Sequence, residues 1–203
     1  MTTLLDSIQA FFSVWHTVRG AGLTAYILLF LAVSVGLVQS LPVTPPRIRP
    51  FLMATHTTAG WLGLLFGLVH GLVLRFDNYI GYSWADIFIP FSSAHKSIAT
   101  SAGIIGFYVM LIIMASSDWR KYVNRKIWRL LHMMAYPAYL LALYHGLVLG
   151  TDTQLASIRL LYVCTSVIAI ALFIIRLVVS IRPLSFSRPV VDNRKKPHGM
   201  KEG

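Results

Sequence analysis

The sequence predicts an all-α fold: a polytopic membrane helix bundle of five transmembrane helices plus an N-terminal interfacial helix. Three observations predict it. Of 203 residues, 56% are hydrophobic and only 12% charged, and the mean hydropathy of +0.68 lies far outside the range of soluble domains. Apolar runs of about 20 residues, the length that a bilayer's hydrocarbon core demands of a helix, recur at about 21–41, 52–74, 97–115, 130–149 and 157–179. The basic residues, finally, gather in alternate connections between these runs.

The opening stretch "MTTLLDSIQAFFSVWHTVRG" lacks the basic leader and small-residue cleavage site of a signal peptide. Its Leu4, Leu5, Ile8, Phe11, Phe12, Trp15 and Val18 recur at helical spacing. Residues 1–20 are therefore expected to lie along the interface as an amphipathic segment; entry into the first span is the alternative. Residues 21–181 are expected to form the membrane domain, and 182–203 a basic cytoplasmic tail. The one cysteine, Cys164, sits in the last apolar run. It permits no disulfide and excludes a covalent Cys-x-x-Cys-His haem attachment, so it reads as a small packing residue.

A formal net charge of +11 raises the question of nucleic acid, and the placement of the charges answers it. Arg47 and Arg49 precede the second run; Arg120, Lys121, Arg125, Lys126 and Arg129 precede the fourth; and Arg182, Arg188, Arg194, Lys195, Lys196 and Lys201 follow the last. These make 13 of the 18 lysines and arginines. The opposite connections hold Arg19, Arg75, Lys96 and Arg159. By the positive-inside rule the richer side is cytoplasmic. The expectation is a multi-pass cell-membrane protein with its N-terminus outside and its C-terminus inside, whose tail touches anionic membrane lipid rather than nucleic acid.

Histidines punctuate two of the runs: "HTTAGWLGLLFGLVH", residues 56–70, and "HMMAYPAYLLALYH", residues 132–145. The second and fourth spans both start at the basic side and so run codirectionally. At a rise of 1.5 Å per residue, His70 lies about 21 Å from His56, and His145 about 19.5 Å from His132. The two helices thus present histidines at matching depths, His56 and His132 near the inner face, His70 and His145 near the outer. With His56 at zero, a turn of 100° per residue puts Gly60 at about +40°, Gly63 at about −20°, Gly67 at about +20° and His70 at about −40°. Two imidazoles and three glycines share one face, with room for a flat macrocycle, although small residues at such spacing also serve plain helix contact. Two neutral imidazoles per iron suit six-coordinate, electron-transferring haem. A lone intramembrane histidine is more simply a hydrogen-bonded polar residue or part of a proton path; four at two matched depths favour ligation. His145 fits poorly, since thirteen ideal helical residues leave it about −140° from His132. Pro137 lies between them and disturbs the helix, so a kink, local overwinding or helix crossing is expected to bring His145 back.

These paired histidines, the basic loop before the second pair, and the strings "WHTVRGAGLTAYILL", "IPFSS" and "WRLLHMMAYPAYLLALYHGLVLGTD" resemble the ferric reductase-like transmembrane domain shared by bacterial cytochromes of this type, eukaryotic ferric reductases and NADPH oxidases. The resemblance runs from about Trp15 to Ile181. It implies two b-type haems, the inner ligated by His56 with His132 and the outer by His70 with His145, and electrons passing from a cytoplasmic flavin to an acceptor outside. Ferric reductases and NADPH oxidases continue into a large flavin- and nicotinamide-binding region. This sequence has about 20 residues after its last span and no G-x-G-x-x-G fingerprint, so FAD and NAD(P)H are expected only through a partner, a cytoplasmic flavin reductase, with a quinol as the other donor.

Arg75, His95 and Lys96 flank the outer loop and suit haem propionates or an anionic acceptor, or interfacial anchoring. Trp84, Tyr79 and Tyr82 read as an aromatic belt. Trp128 and Arg129 open the fourth span; they suit contact with the inner haem as well as belt and topology roles. His16 and His198 read as terminal surface residues. The function expected is that of an oxidoreductase membrane subunit, a di-haem cytochrome b for transmembrane electron transport. The alternatives are a quinol-oxidising cytochrome b or a haem subunit serving an extracytoplasmic reductase and, outside redox chemistry, a haem-free transporter or proton conductor. Ferric chelates, oxygen and a partner protein are all compatible acceptors.

Overall fold

A computed structural model of the chain describes residues 13–77 and 79–181. Residues 1–12 of the expected interfacial segment, the basic tail and His198 lie outside the described residues. Among the described residues seven α-helices follow in order: α1 (Val14–Gln39), α2 (Arg49–Val73), α3 (Trp84–Phe88), α4 (Ser97–Asp118), α5 (Arg125–Met133), α6 (Ala135–Leu149) and α7 (Ala156–Ile181). Single turns of 3₁₀-helix lead into α2, extend it to Phe76 and precede α7.

Each long helix starts where its local chemistry allows. Ser13 caps α1, its hydroxyl accepting the His16 N–H, and the helix then runs without a break through residues 14–20 into the first apolar run. Pro50 stands in the first turn of α2, where a missing N–H costs nothing. Asn124 caps α5 by accepting the Lys126 N–H. Lys96 precedes α4 in the left-handed region, at φ 41°. Its ammonium reaches across to the Val148 carbonyl at the end of α6, 2.7 Å away.

Four helices are long and apolar enough to cross a membrane: α1, α2 with its 3₁₀ extensions, α4 and α7. The run expected as one span over 130–149 is instead divided into a nine-residue helix and a 15-residue helix that meet at Met134. Pro137 is the cause. Its nitrogen has no hydrogen to give the Met133 carbonyl, and its ring collides with that same carbonyl. The helix therefore ends at Met133, tightens through a bond from the Met134 N–H to Leu131 O, and restarts with the Ala138 N–H donating to Met134 O.

Helices α1, α2, α4 and α6 form a ring in which each packs on the next, while the diagonal partners, α2 with α6 and α1 with α4, do not pack closely. α7 lies outside the ring against α1. Its Leu160, Val167 and Ile170 remain 62%, 59% and 57% exposed, an apolar surface of a kind that soluble proteins rarely show and that lipid covers. This is a membrane protein. Within the ring, Tyr26, Leu29, Val33, Leu37, Leu64, Met110, Ile113 and Tyr139 build the core. A hydroxyl network ties the core together, since a medium without water offers polar groups no other partner. The Tyr26 hydroxyl lies 3.1 Å from that of Tyr139 and 2.6 Å from Thr165 Oγ1, tying α1, α6 and α7 together. At the end of the ring where α1 begins, Arg19 makes a two-pronged ion pair with Asp152, just beyond α6.

Candidate functional site: two levels of facing histidines

The diagonal of the ring carries the chemistry. His56 and His70 project from α2, while His132 from α5 and His145 from α6 face them from the opposite corner. The ring centroids of His56 and His132 lie 5.8 Å apart. Those of His70 and His145 lie 6.0 Å apart. The break at Met134 gives His132 and His145 separate helices with separate phases, so both reach the diagonal despite a spacing that an unbroken helix could not reconcile.

The other diagonal orients the imidazoles. His56 Nδ1 lies 2.8 Å from the Ala32 carbonyl and His70 Nδ1 2.9 Å from that of Val18, both on α1. His145 Nδ1 lies 2.9 Å from the Ala99 carbonyl on α4. A carbonyl oxygen only accepts, so Nδ1 carries the proton in each of these three rings. The unprotonated Nε2, the nitrogen that binds a metal, is left free.

Four residues beyond each of these carbonyls stands a glycine, and it stands there for the histidine. A Cβ on Gly22 would lie 2.8 Å from His70 Nδ1, one on Gly36 3.1 Å from His56 Cε1, and one on Gly103 2.5 Å from His145 Nδ1. Each glycine lets an imidazole press against a neighbouring helix backbone. The sequence reading missed all three, although Gly22 and Gly36 repeat the fourteen-residue interval of His56 and His70 on the antiparallel helix. The glycines of α2 itself serve other contacts. Gly60 faces the Met114 thioether, Gly63 the α1 backbone at Leu29 and Ala25, and Gly67 the Phe107 ring. Gly63 and Gly67 line the large cavity of the molecule; Gly60 does not.

That cavity, about 500 Å³, occupies the half of the ring at the His70 and His145 level and is lined by those two histidines, Gly22 and Gly103. It continues to the loop between α2 and α4, where Tyr79, Tyr82, His95 and Lys96 reach it. His95 meets Tyr82 edge to face at 6.4 Å. Arg75 lies over the Trp84 ring, 5.9 Å from its centroid. At the level of His56 and His132 the surroundings are aromatic. Trp128 stacks on His132 at 5.0 Å, and the exposed Arg120 covers Trp128 at 4.3 Å. Arg129 is exposed, Cys164 is an exposed free thiol, and His16 bonds only locally, to Ser13.

Among the described residues no three His, Cys, Asp or Glu side chains gather into one cluster. The donor set is two imidazoles per level, which leaves the remaining ligands of any metal to come from elsewhere. No curated protein and no solved structure matches the chain. The family described as ferric reductase like transmembrane component matches residues 21–143, a stretch that takes in α2, α4, α5 and three of the four histidines. It covers more than half of the 203 residues, and the chain belongs to that ferric reductase-like family.

Proposed function

We propose that this protein carries electrons outward across the membrane through two b-type haems, the inner held by His56 and His132 and the outer by His70 and His145. The observation that carries the reading is the pair of facing imidazoles at each of two depths, 5.8 and 6.0 Å between ring centroids. Metal–imidazole bonds are about 2 Å long, so two imidazoles on opposite sides of one iron keep their nitrogens about 4 Å apart, and one ring radius on each side brings the centroids near the observed separations. A two-imidazole set suits an iron whose four other ligands come from a macrocycle. The cavity floored by Gly22 and Gly103 supports the outer site. Held by the two imidazoles of each level, haem would supply an iron that exchanges one electron between its ferric and ferrous states.

The protein's part is ligation, spacing and dielectric. α2 and its 3₁₀ extension span the bilayer, and the α5–α6 pair is the fifth crossing in this reading, its two helices together covering the thickness. The basic connections favour a cytoplasmic position for His56 and His132 by the positive-inside rule, and with it an N-terminus outside. Reduced flavin bound to a separate cytoplasmic reductase is the proposed donor, because the sequence holds no dinucleotide fingerprint. The first test is haem quantification as the pyridine haemochrome. Two haems b per chain are expected; one or fewer in fully loaded protein overturns the proposal.

A further inference from the structure

Three of the four histidines follow one rule and the fourth breaks it. His70, His56 and His145 bond the carbonyls of Val18, Ala32 and Ala99. Three and four residues beyond those carbonyls stand Ala21 and Gly22, Val35 and Gly36, and Ala102 and Gly103, none of which has a hydroxyl. His132 has no such bond: its Nδ1 is buried without a partner among the described residues. The carbonyl one full interval along α4, fourteen residues after Ala99, is that of Ile113, and it is already taken. Ser116 Oγ donates to it at 3.0 Å and Ser117 Oγ at 2.8 Å. Ser117 stands at the level of His132, since its hydroxyl accepts from Trp128 Nε1 at 3.4 Å and the Trp128 ring is the one stacked on His132.

We infer that Ser117, assisted by Ser116, is a positioning residue that denies His132 a backbone acceptor and so makes it the weakest electron donor of the four imidazoles. A hydrogen bond from Nδ1–H raises the basicity of a ligating imidazole and stabilises the ferric state. Without one, the inner centre takes the higher reduction potential of the two. This inference rests on the haem reading above. Its consequence is a division of the driving force. With haem bound, one electron from a reduced flavin would enter the inner centre readily, and its passage to the outer centre, uphill in intrinsic potential, would be drawn outward by a membrane potential negative inside.

The test is redox titration of the full chain in lipid nanodiscs, with haem content measured on the same preparations. Ser117→Gly, made in a Ser116→Ala background because Ser116 Oγ also donates to Ile113 O, restores the pattern of the other three sites. The reduction equilibrium of one centre should fall about tenfold, which is 59 mV for one electron, while the other moves less than twofold. Ser117→Ala, which removes the hydroxyl but keeps a Cβ, should lower the same centre at least twofold; it carries the test if the glycine variant folds poorly. Changes below twofold at both centres, or equal shifts at both, overturn the inference. If the wild-type chain holds fewer than two haems, the haem reading fails. The Ser117 assignment is then decided by ¹⁵N-histidine NMR, in which Ser117→Gly in the same background should add one exchange-protected Nδ1–H signal to those of the wild type; no added signal overturns it.

Discussion

A single methyl group distinguishes the glycines that seat histidines from those that pack helices. Gly103→Ala sets a Cβ 2.5 Å from His145 Nδ1, and Gly22→Ala one 2.8 Å from His70 Nδ1; each forces the ring off its carbonyl. Overpacking of this kind costs about 1–3 kcal/mol, and each variant should also lose outer-site haem, leaving close to one haem per chain. Gly20→Ala, with nothing within 4 Å, should keep both haems. Parallel measurements of haem content and thermal unfolding on the three variants check this. The four histidines were legible in the sequence because two spans repeat nearly the same interval, and periodicity along a single helix sees such a repeat. Gly22, Gly36 and Gly103 were not, because the partner of each is on another helix. Rotation about the α2 axis groups Gly60, Gly63 and Gly67 with the histidines, but cannot reveal that Met114, the α1 backbone and Phe107 are what these glycines meet.

At the scale of elements, the break at Met134 is what one proline accomplishes. Pro137→Ala supplies the missing donor to the Met133 carbonyl and favours one continuous helix, in which His132 and His145 stand about 140° apart. That variant should stay in the membrane but hold fewer than two haems per chain, and the backbone amide it gains at the substituted position should be protected from hydrogen exchange; full haem content would show that packing around α6, rather than Pro137, fixes the two phases. The sequence announced a disturbance at Pro137 but not its form, since a kink, an overwound turn and a crossing all satisfy the same missing hydrogen bond. The outer loop carries a second local device. Ser83 and Asp86 form a reciprocal cap on α3, and the Ser83 hydroxyl and backbone N–H hold the Asp86 carboxyl below its ordinary pKa. A carboxylate depressed in the fold contributes its stability above the unfolded pKa and loses it as pH falls. Hydrogen exchange at the Ser83 and Asp86 amides should therefore quicken as pH drops below about 4, after correction for the intrinsic rate, and Ser83→Ala, which removes the hydroxyl but keeps the backbone N–H, should weaken that dependence.

For the whole molecule, hydropathy alone made the membrane fold legible, because every residue in lipid faces the same solvent and a 20-residue apolar run has few other uses. The ring order and its two diagonals were not legible, since they arise from which helices touch. Those diagonals give the molecule a direction. If the basic connections face the cytoplasm, His56 and His132 hold the entry centre and His70 and His145 the exit. His70→Ala removes an outer ligand and leaves both inner imidazoles in place. In right-side-out vesicles loaded with a reduced flavoprotein, this variant should still reduce one haem rapidly but fail to deliver electrons to an impermeant external acceptor. His132→Ala should block reduction of both centres from inside, because reaching the outer level directly adds about 20 Å of helical rise, a distance over which electron transfer is too slow to compete. Nicotinamide oxidation should follow the flavoprotein, with none by the 203-residue chain alone. The opposite pattern, with His70→Ala abolishing cytoplasmic reduction and His132→Ala sparing it, would reverse the orientation while leaving the two-level arrangement intact.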